Sequence, residues 1–152
     1  MATTNTARRQ DLLDILAESI GELAAALAAL GAAYEQLDEQ HGDELEERLF
    51  RPVQVAYGRA KRTHSSFAER SGLPTVSFET AEPGAPSQGV QGYVESAVQS
   101  AGSADVMLST LQDSMLPVEV GDVELRAGLG EVRELIGVLP VRAREVLRTV
   151  GR

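Results

Sequence analysis

Residues 13–37 read LDILAESIGELAAALAALGAAYEQL. Their apolar positions fall at alternating steps of three and four: Leu13, Leu16, Ile20, Leu23, Leu27, Leu30, Tyr34, Leu37. Side chains at that spacing share one face of an α-helix, so the stretch predicts a long helix packed along its length against others. Small residues widen the stripe at Ala17, Ala24, Ala26, Gly31 and Ala33, while Asp11, Glu18 and Glu39 take the far face. A stripe this wide touches two neighbours, which favours a four-helix bundle over a two-stranded coiled coil.

Before this stretch, Thr4, Asn5 and Thr6 offer capping oxygens, and a first helix is expected over about 7–40. After it, Gly42 following His41 suits a left-handed helix end, and Asp43 with Glu46 reads as a capping pair opening a second helix. So short a connection predicts an antiparallel hairpin. The second helix is expected over about 43–71, stopping at Gly72, with the stripe Phe50, Val53, Tyr57, Ala60, His64, Phe67. Leu45 and Leu49 lie out of register with that stripe and Pro52 stands between the phases, which predicts a kink; a break at Arg51 is the alternative.

Residues 72–88 hold Gly72, Pro74, Pro83, Gly84 and Pro86 among serines and threonines and read as a linker, with Leu73, Val76 and Phe78 available to pin it down. A third helix, about 87–115, carries Val90, Val94, Ala97, Ala101, Ala104, Leu108, Leu111 and Met115, small in its middle. A fourth begins between Pro117 and Asp122 and runs to about Val150 on Leu125, Leu129, Val132, Ile136, Leu139, Ala143, Val146 and Val150, with a kink expected near Pro140. A hairpin about Pro117 would set Ala101 opposite Ile136 and Ala97 near Leu139, small against large. The reading is all-α: one domain over 1–152, an antiparallel four-helix bundle of two hairpins (7–71 and 89–150) joined by the linker.

Composition narrows the function. The 152 residues are 43% apolar and only 4% aromatic, so the core must be aliphatic and rich in alanine. A net charge of -9 speaks against nucleic-acid binding, which needs a basic face to displace counterions. The absence of cysteine removes disulfides, thiolate zinc sites and a cysteine nucleophile. No stretch is read as a membrane span, and the polar start with Arg8 and Arg9 lacks a signal-peptide apolar region, so a cytoplasmic location is expected. Thirteen of the fourteen basic residues are arginine, an association with GC-rich genomes.

An up-down-up-down path would gather ten of the fourteen basic residues at one end, Arg59, Lys61, Arg62 and Arg70 among them as a candidate anion or partner patch. The opposite end would hold acids such as Glu35, Asp38, Asp43 and Glu47. Helix dipoles favour the same distribution. A linker running the length of the bundle, at roughly 3.3 Å per residue, would instead invert the second hairpin and bring Arg142–Arg152 beside the acidic turn.

Catalytic signals are sparse. His64, near Arg59, Lys61 and Arg62, invites comparison with histidine phosphotransfer, but it lies on the apolar stripe with Tyr57 and Phe67. Asp38 and His41 form the only carboxylate–x–x–histidine spacing, short of what a di-iron site needs, and Met107 and Met115 read as core filler rather than haem ligands. Gly128 and Gly130 lack the strand and lysine of a phosphate loop. Tyr34 and Tyr57, with His64, are candidate lining for a small-molecule pocket between kinked helices. The expectation is a non-enzymatic interaction or scaffold module without metal or cofactor, partnered by protein or by itself as a homodimer. A ligand-binding or sensory bundle is the alternative, and phosphotransfer through His64 the third.

Overall fold

The computed structural model describes residues 2–84 and 89–150, the side chains of residues 2–4 excepted. Pro86, the expected helix start near Ser87, and Arg152 lie outside the described residues. Within them the chain is helical and without strands: α1 Ala2–Glu35, α2 Glu39–Leu45, a π-helical turn Glu46–Phe50, α3 Arg51–Arg70, α4 Gly89–Asp113, α5 Leu116–Glu119, α6 Val123–Gly137 and α7 Leu139–Val150. The most extensive packing is between α1 and α4, followed by α3 with α6 and α1 with α3.

The stripe of α1 is buried at Leu13, Leu16, Ile20, Leu23 and Leu30, but Leu27 and Leu37 are only partly covered and Tyr34 is 43% exposed. A straight helix drifts about 20° per seven residues from a strict seven-residue repeat. By the last turns Ala26, Ala29 and Ala33 therefore face the interior in place of the larger side chains. Ser19 Oγ reaches Met107 Sδ at 3.7 Å and Arg8 reaches Glu119 at 2.9 Å, so α4 runs antiparallel to α1. That register sets Ala26 level with Ala101 and Leu30 with Ala97, an aliphatic seam of small side chains that lets the two helices approach closely.

The first connection differs from its expected form. α1 ends at Glu35, and α2 opens at Glu39 behind Asp38, whose carboxylate accepts a 2.8 Å bond from the His41 backbone N–H and a second from the ring Nδ1. The Asp38–His41 spacing is thus a helix cap, its local bonds outcompeting the Asp43–Glu46 pair. Gly42 is not a helix end. It is buried inside α2, where a Cβ would lie 3.1 Å from the Tyr34 ring. Likewise α1 begins at Ala2, so Asn5 and Thr6 sit within the helix rather than capping it. The stop at Gly72 holds: with φ +67°, it passes a 3.1 Å bond from its N–H to Glu69 O while Leu73 N–H bonds to Ala68 O at 2.9 Å, a Schellman ending.

The chain path is not up-down-up-down. α3 runs antiparallel to α1, since Arg9 donates to Ser71 Oγ at 2.9 Å, and α4 also runs antiparallel to α1. The linker therefore returns along the molecule, and α6 rises beside α3 on the rungs Arg70–Asp122, Arg59–Glu131 and Arg48–Glu145. Among the described residues five arginines (Arg8, Arg48, Arg59, Arg70 and Arg133) pair with acids of other elements. Basic and acidic residues mix at both ends instead of being segregated, because this path sets the acid-rich α5–α6 turn against the end of α3. On the second hairpin, Arg133 bonds to Asp105 at 2.8 Å, a register consistent with Ala101 opposite Ile136, both buried.

One helix meets the length and composition of a membrane span, which corrects the expectation that none does: Asn5–Glu35 contains an 18-residue window of mean hydropathy 1.6, with 44% of that window buried inside the molecule. Between Ile15 and Tyr34 the only charges are Glu18 and Glu22, and alanine and leucine fill most of the rest. A helix enclosed by others acquires the same composition.

Candidate functional site

Two irregularities face each other across the α3–α6 side. Pro52 has no N–H to bond the carbonyl four residues back, and its ring would crowd that carbonyl. The turn ahead of it widens to a π-helix over Glu46–Phe50, where Arg51 N–H bonds to Glu46 O, and Pro52 sits in the first turn of α3, where its missing donor is harmless. On the opposite rod, α6 ends at Gly137, Val138 intervenes, and Pro140 occupies the second position of α7. Both interruptions lie at nearly the same level, since Arg48 pairs with Glu145 and Arg142 Nη1 donates to Arg48 O at 3.3 Å.

Between them lies an open groove. Its floor is apolar: Pro52, Val55, Leu135 and Val138, with Val55 48% and Val138 37% exposed. Its rim carries Asp43, Glu44, Glu47 and Glu134, none of them in an ion pair among the described residues, against Arg51 and Arg142, which are likewise outside one. Arg48 and Glu131 also line it, each held by a partner, Glu145 and Arg59. The rim is thus net negative around exposed valines. Beside the groove, Val141 stands 52% exposed on α7, with Arg144 and Arg148 exposed at helical spacings of three and seven from it.

The residues singled out from sequence are engaged at separate places. Arg59 binds Glu131 at 2.5 Å, and Arg70 grips Asp122 with two bonds of 2.8 and 2.7 Å while reaching Glu124 at 2.7 Å. Asp122 also caps α6 through Leu125 N–H, and the Arg70 guanidinium holds its carboxyl below the usual carboxylate range. The Lys61 ammonium lies 4.3 Å over the Tyr57 ring, and Lys61 and Arg62 border a shallow depression beneath linker residues Val76–Phe78. Of the four, two are turned into ion pairs with α6 and its cap, so no single basic patch forms.

Tyr34 lies against Gly42, Tyr57 under Lys61, and His64 under Phe78, at three different levels of the molecule. His64 is 3% exposed, its ring meets Phe78 edge-on at 5.2 Å, and its Nδ1 is buried without a hydrogen-bond partner. Burial pushes its pKa below the ordinary 6.5, opposed by Asp14 and the Leu13 backbone. An imidazole so covered is out of reach of a phosphodonor's active site. Met107 receives the Ser19 hydroxyl, and Met115 occupies the turn before α5 with φ 65°.

Sequence reasoning expected a pocket between kinked helices but lined it with Tyr34, Tyr57 and His64, none of which borders this groove. Its signal was present in the two prolines, but their facing one another depends on the path of the chain. No protein-family model, no curated protein and no solved structure matches this chain.

Proposed function

We propose that this chain is a four-helix bundle, bent at Pro52 and Pro140, that acts as a non-enzymatic interaction module. Its groove between α2–α3 and α6–α7 docks a basic helical segment bearing apolar side chains. One observation carries the reading: solvent-exposed valines at 55 and 138 floor a groove whose rim leaves four carboxylates outside ion pairs among the described residues. A helix with aliphatic residues on one edge would cover the floor, and lysines or arginines on its flanks would meet the rim. Separately, π-helical turns recur at functional positions, and this one borders the groove.

The test is direct titration with two synthetic helical peptides of equal apolar content, one flanked by lysines and the other by glutamates. The basic peptide should bind at least tenfold tighter, weaken with salt as surface pairing does, and lose affinity to Val55→Asp. Equal binding of both peptides, or indifference to Val55→Asp, would refute the reading.

A further inference from the structure

Among the described residues, the backbone of residues 74–83 makes no hydrogen bond to any other backbone group. The stretch is tied at its ends, where Leu73 N–H bonds to Ala68 O at 2.9 Å and Gly84 O accepts from the Tyr93 hydroxyl at 3.4 Å. In between, Thr75, Val76, Ser77, Glu79 and Thr80 are exposed, and Phe78 is the side chain that packs on the core. Its seat is the His64 ring, met edge-on at 5.2 Å. That ring is itself 3% exposed, and its Nδ1 is buried without a hydrogen-bond partner. The depression bordered by Lys61, Arg62 and Glu69 undercuts the stretch at Val76 and Ser77.

We propose that residues 74–83 form a strap latched by His64, which holds Phe78 against the bundle while its ring is neutral and releases it when the ring takes a proton. In the neutral ring Nδ1 is at worst a bare acceptor. The imidazolium carries an N–H on both nitrogens, so Nδ1 would become the unpaired donor of a buried cation, which costs far more. Moving Phe78 aside gives that nitrogen water. The strap is the part that yields, since it has one apolar anchor and no backbone ladder to lose, whereas Val53, Ala60 and Phe67 fix α3 in full burial. On α1, Asp14 and the Leu13 backbone favour the charged ring, and burial outweighs them. Arg9 of α1 lies over Phe67, one turn beyond His64; on α3, Lys61 turns to the Tyr57 ring, while Arg62 and Glu69 stand at the depression; Glu79 of the strap is exposed. None of these groups bonds to Nδ1. The latch borders no part of the groove, so it is independent of what the groove docks.

The chain has no tryptophan, so Phe78→Trp places a single fluorescent reporter on the strap. As pH falls from about 8 to about 5, its emission should shift to the red and its quenching by acrylamide should rise at least threefold, with far-UV circular dichroism unchanged. One proton drives the step, so the opening constant should grow by up to about tenfold per pH unit below 6.5. His64→Leu in the same chain should abolish the change. In the wild type, the nuclear Overhauser contact between the His64 and Phe78 rings should fade over the same range, a measurement that does not depend on how tryptophan fits. Persistence of that contact at about pH 5 overturns the inference. So does release that survives His64→Leu, or release that comes only in step with loss of helix.

Discussion

The α1–α4 seam and the seam between α2–α3 and α6–α7 are made by the same kind of sequence, aliphatic steps of three and four residues, yet one is closed and the other open. Along α1 and α4 no proline interrupts the helices, and Ala26, Ala29, Ala33, Ala97, Ala101 and Ala104 bring the two axes together. Across the other seam each rod is broken once, before Pro52 and before Pro140, and the breaks face one another. Closure follows where small residues meet on regular helices. A groove follows where two irregularities coincide. Even there contact is tight locally: at Gly128 a Cβ would come within 2.8 Å of Thr63 Cγ2, so glycine is what lets α6 lie against α3.

Several measurements would break or sharpen this contrast. The largest effect is expected in the closed seam. Leu23→Ala empties a fully buried site and should lower unfolding free energy by about 2–5 kcal/mol in denaturant titration. Val55→Ala at the groove floor should change it by less than about 0.5 kcal/mol. Similar losses at both sites would show that the groove is closed in solution.

Gly128→Ala should cost about 1–3 kcal/mol despite alanine's better helix propensity, because the Thr63 side chain is held by its 2.8 Å bond to Arg59 O. Thr63→Ala in the same chain should recover most of the loss. Without that recovery, the close approach of α3 and α6 is not what limits the site. Next, Asp122→Ala removes the α6 cap together with its grip on Arg70, and about 1–2 kcal/mol should follow in thermal or chemical melts. Met115→Gly should work in the opposite direction, gaining up to about 1 kcal/mol by relieving a left-handed backbone at φ 65°.

The gentlest effect is read from pH. His64 is held neutral by burial, so the unfolded chain takes up its proton first, near 6.5, and the folded chain only below that. Its contribution to stability is present above pH 6.5 and declines as pH falls toward the lowered folded value. Melting temperature should drop over that window and the slope should shrink in His64→Leu. An unchanged slope would mean that the linker leaves the ring open to solvent.

Much of the fold was legible because helical periodicity is local. The stripes of α1, α4 and α6–α7, the Schellman ending at Gly72 and the Asp122 start all depend on residues within a few positions of each other. Boundaries slipped where two local options competed. Asp38 and Asp43 both offer caps, and Asp38 prevails with the Tyr34 ring seated on Gly42, a contact no nearest-neighbour pattern announces. Of the candidate site residues, none lies in the groove. Arg59 and Arg70 were chosen for their charge, yet their partners, Glu131 and Asp122, lie more than fifty residues away. The pairing could not be read until the chain's direction was known.

By itself the sequence determined that this protein is all-helical, where its long rods run and which faces they bury, since side-chain spacing along a helix is a property of each segment alone. The tertiary structure decided the path. A linker that at roughly 3.3 Å per residue can span the bundle returns the chain to either end with equal ease, and local patterns are silent on the choice. The downward course of α4 along α1 sets Arg70 on Asp122, mixes the charges and brings the two proline-marked breaks face to face. The groove exists because of that course.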